Sequence, residues 1–122
     1  MISNNADRKM NKIDSWLVNY SNYWKSQNID GVMSLFSDDV KYGSFWEIHK
    51  NITSVRKEWE SIKKQKNIDI KCDVYSKLDD KYIIMWELKY INLENSIVHL
   101  KGIYMIRLNT SGKCIEFIHC GE

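Results

Sequence analysis

Apolar side chains recur every three or four residues from Ile13 onward, at Ile13, Trp16, Leu17, Tyr20, Tyr23 and Trp24. Lys12, Asp14, Asn19, Asn22 and Lys25 fall mostly on the other side, so the spacing predicts an amphipathic helix. It should begin near Asp7 and end around residues 27–28. Asp30 is then placed to cap a second, shorter helix, because its carboxylate accepts free backbone N–H groups. Val32, Met33, Leu35 and Phe36 supply that helix with an apolar face, and Ser37-Asp38-Asp39 marks its exit. A third helix is expected over roughly residues 52–66, with Ile52, Val55, Trp59 and Ile62 on one stripe and Asn51 as its cap.

Elsewhere the period is two. Val40, Tyr42, Ser44 and Trp46 alternate with Lys41, Gly43 and Phe45, which predicts a strand with one aromatic face. Residues 68–77, 82–91, 97–108 and 113–120 read as further strands, separated by turns over 78–81, 92–95 and 109–112. Ile84, Trp86, Leu88 and Tyr90 share one face of the second of these, as do Leu100, Gly102, Tyr104, Ile106 and Leu108 of the third. In the last strand, solvation of Glu116 would turn Ile115, Phe117 and His119 inward. Helices segregated to one face of a curved antiparallel sheet define an α+β domain.

Length and composition narrow the picture. A chain of 122 residues builds one core, here expected over 13–122 behind a polar, flexible tail at 1–12. A formal charge of +2, with no broad basic face, argues against a nucleic-acid partner. The run Lys63-Lys64-Gln65-Lys66 closes the third helix, where lysines complement the dipole. No apolar stretch has the length of a membrane span, and the polar N-terminus carries no secretory signal. Three cysteines without a C-x-x-C spacing suit reduced thiols in a cytoplasmic protein. The three histidines lack metal-binding spacing and no glycine-rich phosphate loop occurs, so neither metal nor cofactor is expected. Five Trp and seven Tyr are the unusual feature: rings either fill a core or line a cavity.

The order of elements, together with Leu35-Phe36-Ser37-Asp38-Asp39-Val40, Gly102-Ile103-Tyr104-Met105-Ile106-Arg107-Leu108 and Gly112-Lys113-Cys114-Ile115-Glu116, resembles the nuclear-transport-factor-2-like superfamily, in its SnoaL-like and ketosteroid-isomerase-like branch. The likeness spans about residues 13–120. It implies a cone-shaped, cystatin-like α+β barrel, with three N-terminal helices packed against the sheet and a pocket between them. It also implies dimerisation through the outer sheet face. Ile83, Met85, Ile103 and Met105 fall on that face, where they would be wasted apolar surface on a monomer, so a homodimer is expected. Against the last strand's parity, the resemblance favours Ile118 and Cys120 inside, and this alternative stays open.

Ketosteroid isomerases pair an Asp base with an oxyanion hole of a Tyr and a protonated acid. By the resemblance, Tyr20 matches the helix-one tyrosine, Ser44 the base position and Tyr104 the acid position. A serine hydroxyl does not replace a carboxylate base unaided, so that isomerisation is not expected here. Tyr20, Ser44 and Tyr104 remain able to polarise a carbonyl, with His49 or His119 as the available base. His99 falls on the outer face by parity. Tyr20, Trp24, Tyr42, Trp46, Trp59, Trp86, Tyr90 and Tyr104 are the expected ligand-lining residues, for a small apolar molecule. Two functions follow: a cofactor-independent isomerase, dehydratase or cyclase, or a non-catalytic dimeric ligand-binding or interaction module.

Overall fold

The computed structural model describes residues 11–49 and 51–121, the His49 side chain excepted. The tail expected over 1–12 lies, through residue 10, outside the described residues. Helix α1 spans Lys12–Lys25 and buries Ile13, Trp16, Leu17, Tyr20 and Trp24, the stripe its spacing predicts. It starts where Asn11 accepts a hydrogen bond from the Asp14 N–H. Helix α2 is only Ile29–Met33. Its cap is Asn28, not Asp30; Asp30 is the helix's second residue and pairs with Arg56 instead. The expected helical residues Leu35 and Phe36 have already left the helix, and Phe36 opens the first strand. Helix α3, Ile52–Trp59, is capped by Asn51 as anticipated, but tightens into a 3-10 turn over Glu60–Lys64 rather than running on to residue 66.

Strands β1 (Phe36–Ser44), β2 (Ile48–His49), β3 (Lys66–Leu78), β4 (Lys81–Ile91), β5 (Ile97–Leu108) and β6 (Cys114–Gly121) form one sheet in the order β2-β1-β6-β5-β4-β3. Every pairing is antiparallel except β1 with β6, which is parallel, so the sheet is mixed and not wholly antiparallel as expected. Its two edges, β2 and β3, do not meet, so the barrel is open. The three helices cover the inner face, and the α+β class read from the pattern holds.

The registers fix which side chains share a face. Ser44, His119, Tyr104 and Ile84 lie in one row across β1, β6, β5 and β4. Phe117 is buried in the core beside Tyr42 and Tyr104, which settles the last strand: Phe117 and His119 face inward. Ile118 and Cys120 face outward, contrary to the alternative that the resemblance favoured. Ile118 is nonetheless buried, beside Gly43, over which the β1–β2 turn folds closely enough that a Cβ would meet the Glu47 carbonyl at 2.0 Å. On the outer face Met85 and Ile103 are paired and about half exposed, at 51% and 48%, with Ile83 and Met105 partly buried beside them. His99 reaches Glu87 on the same face. Among the described residues no helix is long and apolar enough to cross a membrane.

Candidate functional site

Two phenols define the centre of the molecule. Tyr20 comes from the buried stripe of α1 and Tyr104 from the inward face of β5, and their hydroxyls are 2.7 Å apart. Exposures of 1% and 4% seal both from water. Burial, more than any neighbouring charge, drives both phenol pKa values far above the ordinary range, so both stay neutral donors. One hydroxyl proton is spent between them; the second is free to go to an oxygen that approaches the pair. No charged side chain is buried in the described core, so no carboxylate stands beside the phenols.

The other candidates distribute as follows. His119 shares the cross-strand row with Tyr104, and its ring lies 5.8 Å from that of Tyr42. Ser44 sits in the same row on the far side of His119. Its Oγ accepts from the Trp46 and Glu47 N–H groups at 3.2 Å each, so its first task is to shape the β1–β2 turn. His49 pairs with Tyr42 through the backbone of β2. Trp24, Tyr42 and Trp59 are buried in the core, with Trp86 and Tyr90 partly buried against it. Trp46 is the exception. It is 96% exposed, because β1 ends at Ser44 and the turn breaks the alternation that would have carried it inward.

The expected hollow is occupied by the rings themselves. Phe117 stands among Trp16, Tyr20, Phe36, Tyr42 and Tyr104 at centroid distances of 4.6–6.1 Å. Trp24 and Trp59 meet at 4.8 Å, and Trp86 stacks on Tyr104 at 5.5 Å. A groove of about 870 Å³ does open elsewhere, between the outer side of α1 and β3, lined in part by Ser21, Lys25, Cys72, Asp73 and Tyr82. None of the expected site residues lines it.

The indoles reveal what sequence reasoning missed. Trp16 donates to the Leu35 carbonyl at 3.0 Å and Trp24 to Gln65 Oε1 at 2.8 Å. Trp46 faces solvent. The Nε1–H groups of Trp59 and Trp86 are buried and have no hydrogen-bond partner. Trp59 lies near the Tyr42 hydroxyl; burial and then Glu58 raise that phenol, and Trp59 works against the rise without reaching hydrogen-bond geometry. An unmade bond from a buried N–H costs about 1–3 kcal/mol, so the two are a cost to the fold. Sequence alone carried no signal for this, because which indoles find carbonyls depends on the tertiary register.

Comparison with solved structures agrees with this architecture. An NTF2-like protein of unknown function from Exiguobacterium sp. 255-15 superposes with a TM-score of 0.75 at 19% identity, covering 88% of this chain and 98% of its own. The Δ5-3-ketosteroid isomerase from Mycobacterium sp. gives 0.76 at 10% identity, over 91% and 93%. An LEH-like epoxide hydrolase from M. tuberculosis gives 0.73 at 9%, over 91% and 83%. No protein-family model matches the sequence, and neither does any curated protein. The chain therefore has the nuclear-transport-factor-2-like, ketosteroid-isomerase-like fold. At these identities the likeness defines a fold and leaves the chemistry to the site.

Proposed function

We propose that this domain binds a small, largely apolar molecule through one of its oxygens, held by the Tyr20–Tyr104 hydroxyl pair. The supporting observation is the 2.7 Å contact between two neutral phenols in a core without a buried charge. Such a pair polarises a carbonyl and stabilises charge that develops on its oxygen. The catalytic form of this reading is isomerase, dehydratase or cyclase chemistry with His119 as the base, since His119 shares the row with Tyr104. The similar folds of a ketosteroid isomerase and an epoxide hydrolase are compatible with it. Binding requires ring–ring contacts around Phe117 and Trp86 to give way to ring–ligand contacts.

A second reading has its own support. The rings fill the interior, Ser44 is engaged in a turn, and Met85 and Ile103 leave an apolar strip on the outer face. These favour a non-catalytic homodimeric module. The two readings separate when small apolar ligands are screened against the wild type and Tyr20→Phe, with binding and turnover followed together. Conversion that falls at least tenfold in the variant supports catalysis. Binding that weakens without any conversion leaves a binding domain, and an absence of ligands favours the dimeric module.

A further inference from the structure

Strand β3 is one edge of the sheet. It runs for 13 residues, pairs only with β4 among the described residues, and leaves Asp69, Lys71 and Asp73 exposed. Such an edge presents a row of N–H and C=O groups to any strand that approaches it. The groove of about 870 Å³ lies along this edge, where the outer side of α1 stands back from β3. Val18 of α1 and Val74 of β3, both in its lining, are 45% and 41% exposed. Backbone that can still pair and apolar side chains that can still be covered therefore lie side by side. Proteins blunt edges with lysines and with breaks in the ladder, and β3 has both. Lys66, Lys71 and Lys77 are spread along it, and its register with β4 shifts between Lys66 and Asp69 and again between Val74 and Ser76. Between those shifts, residues 69–74 form an unbroken stretch.

The charges in that stretch single out one way of pairing it with itself. A twofold axis across the edge sets one residue opposite its own copy and the flanking residues opposite each other in reverse order. Centring on Lys71 or on Asp73 brings like charges face to face, which is destabilising. Centring on Ile70 extends the pairing into the irregular segment before Asp69. Centring on Cys72 keeps residues 70–74 inside the unbroken stretch. It sets Lys71 of each chain against Asp73 of the other, and Ile70 against Val74 on the groove side. The same axis runs the two α1 helices in opposite directions, so Asp14 and Lys25, from the two ends of α1 along the groove, each lie toward the other's counterpart. We infer that a second copy of this chain docks along β3, antiparallel and centred on Cys72, and continues the sheet from one molecule into the next. This contact uses neither the outer strip nor the phenol pair, so it stands or falls apart from the function proposed above. Because it is short and held in part by exposed ion pairs, it is the weaker of the two associations, with a Kd of about 0.1 mM.

Sedimentation from about 10 µM to about 1 mM protein tests this in the wild type and in Ile103→Lys, which places a charge on the outer strip. At the dilute end only the outer-face association is populated. Toward the concentrated end Ile103→Lys should pass from monomer to dimer, and the wild type from dimer to tetramer. In the Ile103→Lys background, Lys71→Asp and Asp73→Lys should each weaken the association at least about tenfold, because each creates two like-charge pairs across the axis. The two changes together should restore it to within about threefold. The double change does not repair the cross-strand neighbours Lys71 and Glu87 within one chain, so recovery reports the contact between chains. The inference is overturned if Ile103→Lys stays monomeric throughout, if neither single reversal weakens the association, or if the double change fails to restore it. Where a variant is poorly folded the wild-type series decides, since a wild-type mass that does not rise toward double across the range also overturns the inference.

Discussion

Tyr20 and Tyr104 have to stay protonated where they stand. So do Cys72, whose thiol burial pushes up to about 12, and the buried Cys114, raised further by the same cause. All four would ionise near their ordinary values, 9.0 for a thiol and 10.0 for a phenol, once the chain unfolds. Above those values the unfolded chain binds fewer protons than the folded one, so stability falls as pH rises. Their contribution is whole below about pH 9 and is lost progressively above it. Thermal melts between pH 7 and pH 11 should show this decline beginning near pH 9, and less steeply in Tyr20→Phe/Tyr104→Phe. A melting temperature flat to pH 11 would contradict it. At this scale the sequence was legible wherever periodicity decides burial: Tyr20 and Tyr104 are as deep as their patterns imply. It failed at Trp46, where a serine-shaped turn overrides alternation, and could not distinguish satisfied indoles from orphaned ones.

Helices α1 and α3 and all the long strands follow from period alone, because an amphipathic face and its burial are one fact seen twice. Helix α2 was harder. Asn28 and Asp30 are both good caps in isolation; the Asn28 side chain accepts from the Gly31 N–H and starts the helix, and Asp30, inside the first turn, pairs with Arg56. The parallel pairing of β1 with β6 was invisible, since pairing direction between strands separated by residues 45–113 leaves no local trace. The glycine shelf under Trp86, made by its register partner Gly102 and by Gly121, belongs to this scale too. In Gly102→Ala the new methyl would lie 2.0 Å from the Cys120 carbonyl and 2.5 Å from the Trp86 ring. Destabilisation of about 1–3 kcal/mol is expected, with altered Trp86 fluorescence. Chemical denaturation checks it; an alanine variant as stable as wild type would mean that Trp86 does not rest on the shelf.

For the whole molecule, the outer strip of Ile83, Met85, Ile103 and Met105 motivates a homodimer, with Glu87, Lys101 and His99 around it as a polar rim. Ultracentrifugation should return twice the monomer mass for the wild type and the monomer mass for Ile103→Lys; a monomeric wild type would remove the dimer. The outer strip and the Tyr20–Tyr104 pair lie on opposite sides of the sheet, so the lysine variant should still bind whatever ligand the wild type binds. The interior is the harder question, because its rings already satisfy one another by packing. Removing both phenol hydroxyls leaves no polar group stranded, so Tyr20→Phe/Tyr104→Phe should fold with stability within about 1 kcal/mol of wild type. Titrating 1-tetralone and tetralin into both proteins then isolates the hydroxyl pair. Tetralone should bind the wild type at least threefold more tightly than the double variant, with tetralin binding the two alike. Equal tetralone affinities in the two proteins would show that Tyr20 and Tyr104 are core and hold no ligand oxygen.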